Sequence, residues 1–146
     1  MTADGEFLTI PVEEMGLAYR TSVVEQKNYI VLEALISLEK GNPEKIKEVM
    51  DDLKEKRVTK QPLEYASAGS TFKRPEGYFA GKLIMDSDLR GYRVGGAQVS
   101  EKHCGFVVNL GGATCADVLA LCDEVRSIVK EKTGYDLEKE IRVVRA

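Results

Sequence analysis

The chain has little of what builds metal centres or disulfide frameworks: one histidine and three cysteines in 146 residues. A single histidine, His103, argues against a Cys/His metal site, and no metal is expected. The cysteines, Cys104, Cys115 and Cys122, are odd in number. No secretory leader is visible, because Met1-Thr2-Ala3-Asp4-Gly5-Glu6 is acidic and lacks the cationic and apolar regions of one. Together these features fit a reducing, cytoplasmic setting. Cys115 and Cys122 would sit on one helix about 10 Å apart along its axis, too far for a disulfide. All three are read as buried or half-buried thiols. No apolar run approaches the roughly 18 residues of a membrane helix, so no membrane partner is expected. No sign of charge dominates either: 21 Lys and Arg stand against 24 Asp and Glu, interspersed, for a net charge of −3. That balance argues against a nucleic-acid surface, though a local cluster of cations would still suit a small anion. Finally, no Gly-x-Gly-x-x-Gly run is present, so the dinucleotide fingerprint is missing.

With 43% hydrophobic and 31% charged residues, the composition is that of a globular protein. Two regions separate near Pro62. In the first, Phe7-Leu8-Thr9-Ile10 reads as a strand or strand end, and residues 12–19 hold a helical turn. Residues 29–38 are apolar and rich in β-branched side chains, and they read as a central strand. Asn42-Pro43-Glu44 starts a helix, with a capping side chain, proline at the first position and an acid in the first turn. Ile46, Val49, Met50 and Leu53 give that helix one apolar stripe, and it ends by residues 57–60. One strand and one helix cannot enclose such a stripe, so this region needs further chain or a partner.

The second region reads strand, helix, strand, strand, helix, strand. The expected elements are a short strand or loop edge over 68–72 and a helix over 78–86 burying Phe79, Leu83 and Ile84. Apolar runs over 93–99 and 105–110 follow, joined by a turn at Ser100-Glu101-Lys102-His103. Gly95-Gly96 suggests a bulge or a close approach to a ligand. Thr114 and Asp117 resemble a capping box opening a helix that runs to about Lys132 and stops at Gly134. A closing strand is expected over 141–144. The expected class is α+β: a partial strand-helix region over 1–61, then a small β-α-β-β-α-β domain over 62–146 with two helices on one face of one sheet. About 85 residues suffice, narrowly, for a core of its own.

The chemistry-bearing run is Ser67-Ala68-Gly69-Ser70-Thr71-Phe72-Lys73-Arg74-Pro75. It combines hydroxyls beside a glycine, an aromatic ring and two cations, and Ser70 follows the glycine, where a ligand can approach closely. Other segments are Tyr19-Arg20-Thr21-Ser22, Lys60-Gln61-Pro62, Gly95-Gly96-Ala97-Gln98-Val99-Ser100, residues 103–109 and Leu137-Glu138-Lys139-Glu140-Ile141-Arg142. In this order they resemble the motifs of the UDP-N-acetylenolpyruvoylglucosamine reductase (MurB) family, in its shorter second type. The resemblance covers residues 17–144.

It implies a flavoenzyme of peptidoglycan synthesis in which NADPH reduces FAD and the flavin reduces UDP-N-acetylglucosamine enolpyruvate to UDP-N-acetylmuramate. It implies Ser70 as the proton donor to C2, with Arg20 and Glu140 stabilising the enolate. Lys60 would contact the diphosphate and Arg74 the substrate, while Tyr19 would lie beside the flavin or support Arg20, both thereby touching cofactor as well as substrate. Lys73 and Gln98 would support the site, and His103 is a turn residue. Two departures stand out. Ala66 replaces a common proline, and the family's glycine-rich FAD loops, which precede the tyrosine-arginine motif, have no counterpart in residues 1–16. The expectation is therefore the C-terminal half of such a reductase, retaining neither FAD nor NADPH and inactive alone. The alternatives are a non-catalytic UDP-sugar-binding module or structural remnant, and a homodimer that covers the uncovered apolar face.

Overall fold

The computed structural model describes residues 1–144; the last two residues of the expected second domain lie outside them. The chain divides into two units, Met1–Asn42 and Pro43–Ala146. Its class is α+β, with four α-helices and a four-stranded antiparallel sheet.

The first unit holds a 3₁₀ turn at Val12–Glu14 and a single helical turn, α1, at Val23–Gln26. Two expected strands are absent. Residues 7–10 are unpaired. Residues 29–38 make one ladder-like contact, in which Ile30 N–H donates to Met1 O and the Met1 amine donates to Ile30 O, each at 2.8 Å. β-propensity describes how well a side chain suits a pleated surface; it does not supply the neighbouring strand that the backbone must bond. Among the described residues no such neighbour flanks 31–38, and Leu35 is fully exposed.

In the second unit, α2 spans Pro43–Lys60, with the expected start and end. Its stripe of Ile46, Val49, Met50 and Leu53 lies open to solvent, each about half exposed or more. Lys102 Nζ donates to Val58 O at 2.9 Å and so fastens the last turn of α2 to the turn at 100–103.

The core lies beyond Pro62. Strands β1 (Ala66–Ser70), β2 (Arg93–Val94), β3 (Ala97–Val99) and β4 (Phe106–Asn109) pair in the order β1-β4-β3-β2. Helix α3 (Ala80–Asp86) and helix α4 (Cys115–Thr133) pack together, and α4 also lies against β2 and β3. Helix α4 forms for local reasons. The Thr114 side chain accepts from Asp117 N–H while the Asp117 carboxylate accepts from Thr114 N–H, and Gly134 closes the helix at φ 79°. Leu121, Cys122, Val125 and Val129 recur at helical spacing and are fully buried against Ile84, Val99, Val107 and Leu137.

Several expectations need correcting. The run over 93–99 is not one strand. It folds back at Gly95-Gly96, a two-residue hairpin turn pairing Val94 with Ala97. The close approach inferred there is to the chain itself, because a Cβ on Gly96 would stand 2.5 Å from Ala113 N and one on Gly95 would meet the Asp117 carboxylate. Phe79 is 59% exposed: it precedes α3 in extended backbone, off the helix's inward face. Cys115 is exposed, while Cys104 and Cys122 are buried. Burial pushes the Cys122 thiol up to about 11 and raises that of Cys104, so both remain protonated and inert.

The closing strand over 141–144 is also absent. Among the described residues the last bridge is the one between Phe72 and Lys139. In continued register, residues 141–143 would face 68–70, where β1 carries an extra residue. Ser67 opposes Val108 but Ser70 opposes Phe106. A bulge kinks the edge it sits on, so the terminal segment has no regular edge to follow.

Two measurements check these points. Gly96→Ala is expected to cost ~2 kcal/mol or more, read by denaturant unfolding, because backbone must move to admit the methyl group. The second concerns acid. Asp117 is held below the usual 3.8 by Thr114 N–H, and Asp136 well below it by Arg126 and then Lys130. Depressed carboxylates contribute stability that is present above their unfolded value and lost as pH falls below it. The melting temperature should therefore drop below about pH 4, and Asp136→Asn should flatten that drop.

Candidate functional site

The run at 67–75 is shaped by the bulge in β1. Gly69 adopts φ 84°, a left-handed conformation that favours glycine. Ser67 Oγ accepts from Gly69 N–H at 3.3 Å, so Ser67 is the serine that serves the turn. Ser70, the last residue of β1, is exposed, and its hydroxyl makes no hydrogen bond among the described residues. The bland alternative for Ser70, a hydroxyl spent on local backbone, belongs to Ser67.

Immediately after Ser70 the chain meets the C-terminal segment. Glu140 N–H donates to Thr71 O at 2.9 Å, and Lys73 N–H donates to Glu138 O at 2.8 Å. Lys73 Nζ pairs with Glu138 Oε1 at 2.5 Å. Lys139 Nζ pairs with Asp123 of α4 at 2.7 Å, while Arg126 and Lys130 of α4 both hold Asp136. The segment carrying Glu140 is thus strapped to α4 and to the strand end carrying Ser70. One peptide separates Ser70 from the residue that accepts the Glu140 N–H. Backbone pairing places Glu140 opposite Thr71, the residue next to Ser70. Glu140 is half-buried.

Arg74 follows in the same run. Its Nε donates to Tyr78 O at 3.3 Å, and its guanidinium lies 4.0 Å from the centre of the Phe79 ring. An exposed cation is thereby held in one place by a carbonyl and a ring face. Lys60 is exposed at the end of α2. Gln98 donates to Gly91 O at 3.0 Å and is taken up by the β2–β3 hairpin. His103 lies in the turn at 100–103, where Nδ1 accepts from Gly105 N–H at 3.1 Å and the ring packs edge-on against Phe106.

Tyr19 and Arg20 belong to the first unit. They occupy the tight turn closed by the Ala18–Thr21 bridge. Arg20 sits at φ 56°, uncommon for a residue with a side chain, and its Nε donates to Tyr19 Oη at 3.2 Å. Tyr19 is 77% exposed. A strained, exposed pair of this kind is a feature that functional turns share.

A groove of about 320 Å³ lies beside the run. Ser67, Thr71, Val107, Val118 and Ile141 help to line it, but neither Ser70 nor Glu140 does. Among the described residues no three His, Cys, Asp or Glu side chains gather as a metal site. Reading the sequence missed Thr71. It is 2% exposed and its Oγ1 accepts from Val107 N–H at 2.9 Å. The available signal was a β-branched hydroxyl flanked by the exposed Ser70 and the buried Phe72.

Because the Ser70 hydroxyl bonds nothing among the described residues, Ser70→Ala is expected to leave the unfolding free energy within ~0.5 kcal/mol of the parent, as measured in urea. A loss several times larger would mean that the hydroxyl is structural.

Residues 61–144 match the family model of the UDP-N-acetylenolpyruvoylglucosamine reductase C-terminal domain. A curated protein named UDP-N-acetylenolpyruvoylglucosamine reductase from Lachnoclostridium phytofermentans is 60% identical over 144 residues, covering 99% of this chain and 46% of that protein. One of the same name from Agathobacter rectalis is 58% identical, with the same coverage. The crystal structure of UDP-N-acetylenolpyruvylglucosamine reductase (MurB) from Thermus caldophilus superposes with a TM-score of 0.79 at 36% identity, covering 95% of this chain and 49% of that one. The chain spans about half the length of the curated relatives it matches.

Proposed function

Since the chain belongs to the UDP-N-acetylenolpyruvoylglucosamine reductase family, we propose that it is the C-terminal half of such a reductase and carries its substrate-binding, proton-donating side. In this reading residues 1–61 are the end of a cofactor-binding domain and residues 62–146 are the substrate domain, acting in the cytoplasm in peptidoglycan synthesis. The substrate is UDP-N-acetylglucosamine enolpyruvate and the product of the whole enzyme is UDP-N-acetylmuramate.

The observation that carries the proposal is Ser70: an exposed residue whose hydroxyl makes no hydrogen bond among the described residues, one peptide from the Thr71 carbonyl that accepts Glu140 N–H. A serine hydroxyl is a weak acid. It donates a proton usefully only to a strong base held against it, and the carbanion-like C2 of a reduced enolpyruvyl group is such a base. Ser70 is the proposed donor to C2. Glu140 is proposed to face the enolate carboxylate, which requires it to be protonated or bridged by a donor, since two bare carboxylates repel. Arg20 is proposed to bind that carboxylate with its planar pair of donors, and Tyr19 to orient Arg20 through the hydrogen bond between them. Lys60 is proposed as a point charge on the diphosphate, and Arg74 as a further anion ligand held in place by Phe79 and Tyr78.

The family reaction draws hydride from NADPH through FAD, and the residues present do not fit that flavin. None of residues 1–42 is buried, so this unit offers a ring and a guanidinium rather than enclosing walls. No step is assigned to the cofactor, and the chain alone is proposed to be without turnover. The open apolar stripe of α2 favours a homodimer that covers it. Gel filtration tests this: a monomer that stays soluble at high concentration removes the need for a partner.

Calorimetric titration with UDP-N-acetylglucosamine enolpyruvate tests the main reading. The parent chain should bind, and Lys60→Ala should weaken binding about tenfold, on the order of 1.4 kcal/mol. Heat-silent titrations of both proteins would count against a retained substrate site.

A further inference from the structure

We propose that Thr71 is a positioning residue for this site, using its hydroxyl to lock the β1 bulge and thereby hold Ser70 next to the backbone that pairs with Glu140. The inference rests on the roles proposed above for those two residues. It draws on Thr71, which none of those roles includes.

The N–H, C=O and Oγ1 of Thr71 each have a partner, two of them on the β4 segment and one on the C-terminal segment. Its N–H donates to Gly105 O and its C=O accepts from Glu140 N–H, both at 2.9 Å. Its Oγ1 accepts from Val107 N–H, also at 2.9 Å, in a buried position. The residue just before it is Ser70. Thr71 therefore sits where β1, β4 and the C-terminal segment meet.

The side-chain bond is the informative one. Val107 lies between Phe106 and Val108, the partners of Ser70 and Ser67, so it stands opposite the extra residue of the bulge. A main-chain ladder is irregular there, and a buried N–H needs a dependable acceptor. Thr71 Oγ1 provides one from beyond the bulge. The alternative register, without the extra residue, would pair Ser70 with Gly105 instead of Phe106. A slip of one residue turns each side chain to the opposite face of a strand. The hydroxyl bond to Val107 is compatible with the bulged register, and in that register the Ser70 hydroxyl faces solvent and the Thr71 carbonyl meets Glu140. Two further features fit this role. Gly69 at φ 84° lets the chain make the bulge, and the Lys73–Glu138 ion pair clamps the far side of the same crossing.

The test is amide hydrogen exchange by NMR on the whole 146-residue chain, comparing the parent with Thr71→Val and Thr71→Ser. Valine keeps the shape and removes the acceptor, whereas serine keeps the acceptor. Thr71→Val should speed exchange at Val107 and Glu140 about tenfold and shift the Ser70 signals, while Leu121 and Val125 in α4 keep their rates. Thr71→Ser should restore the parent pattern. The proposal is overturned if Thr71→Val leaves Val107, Glu140 and Ser70 unchanged. It is equally overturned if exchange at Leu121 and Val125 accelerates as much, which marks a general loss of stability. Failure of the parent to bind UDP-N-acetylglucosamine enolpyruvate would remove the reductase reading and leave these rates, and the conclusion on the bulge, as they stand.

Discussion

The second unit turns on one antiparallel crossing, in which Thr71 to Lys73 bonds Glu138 to Glu140 across two main-chain hydrogen bonds. The crossing joins the first strand of the sheet to the end of the chain, about 65 residues downstream, and everything between is folded inside that closure. Phe72 and Leu137 enter the core from its two sides, and both are buried. The bulge just before it breaks the strand edge, so pairing ends where it does and Ser70 is left facing outward. One local irregularity thus ends the sheet and frees a hydroxyl.

Helix α4 is the counterweight. It is nucleated by its own capping box, closed by Gly134, and buries an unbroken row of side chains against the sheet. Its exposed face then holds the C-terminal segment through Asp123, Arg126 and Lys130. Exposed ion pairs contribute little stability individually. Here they fix where a segment lies, and Glu140 is carried on that segment. The same physics explains why residues 1–42 lack a buried residue. They hold apolar side chains but no second layer to cover them.

What could be read from the sequence follows the range of the interactions involved. The start of α2 at Pro43, the Thr114–Asp117 cap, the Gly134 stop and the buried row of α4 are set by residues within a few positions of one another, and they appear as expected. Residues 29–38 have the composition of a strand, but a strand is a relation between two segments. Residues 141–144 were misjudged for the reverse reason: the edge they would join is bent by a bulge whose only trace in the sequence is Gly69. Gly95-Gly96 marked a close approach correctly and its partner wrongly, because Ala113 and Asp117 are brought there by tertiary folding. At the site, both serines of the run suit a turn by composition. The fold gives that task to Ser67 and leaves the Ser70 hydroxyl without a hydrogen bond among the described residues.

The strand end bearing Ser70 and the segment bearing Glu140 are proposed to form one binding surface for a UDP-linked enolpyruvyl sugar. The most direct measurement is a two-dimensional NMR titration of the isotope-labelled chain with UDP-N-acetylglucosamine enolpyruvate. The amide signals of Ser70, Thr71 and Glu140 should move together and saturate at one ligand concentration, with Lys60 and Arg74 following the same curve. Signals that stay still at Ser70 and Glu140 under saturating ligand would contradict it.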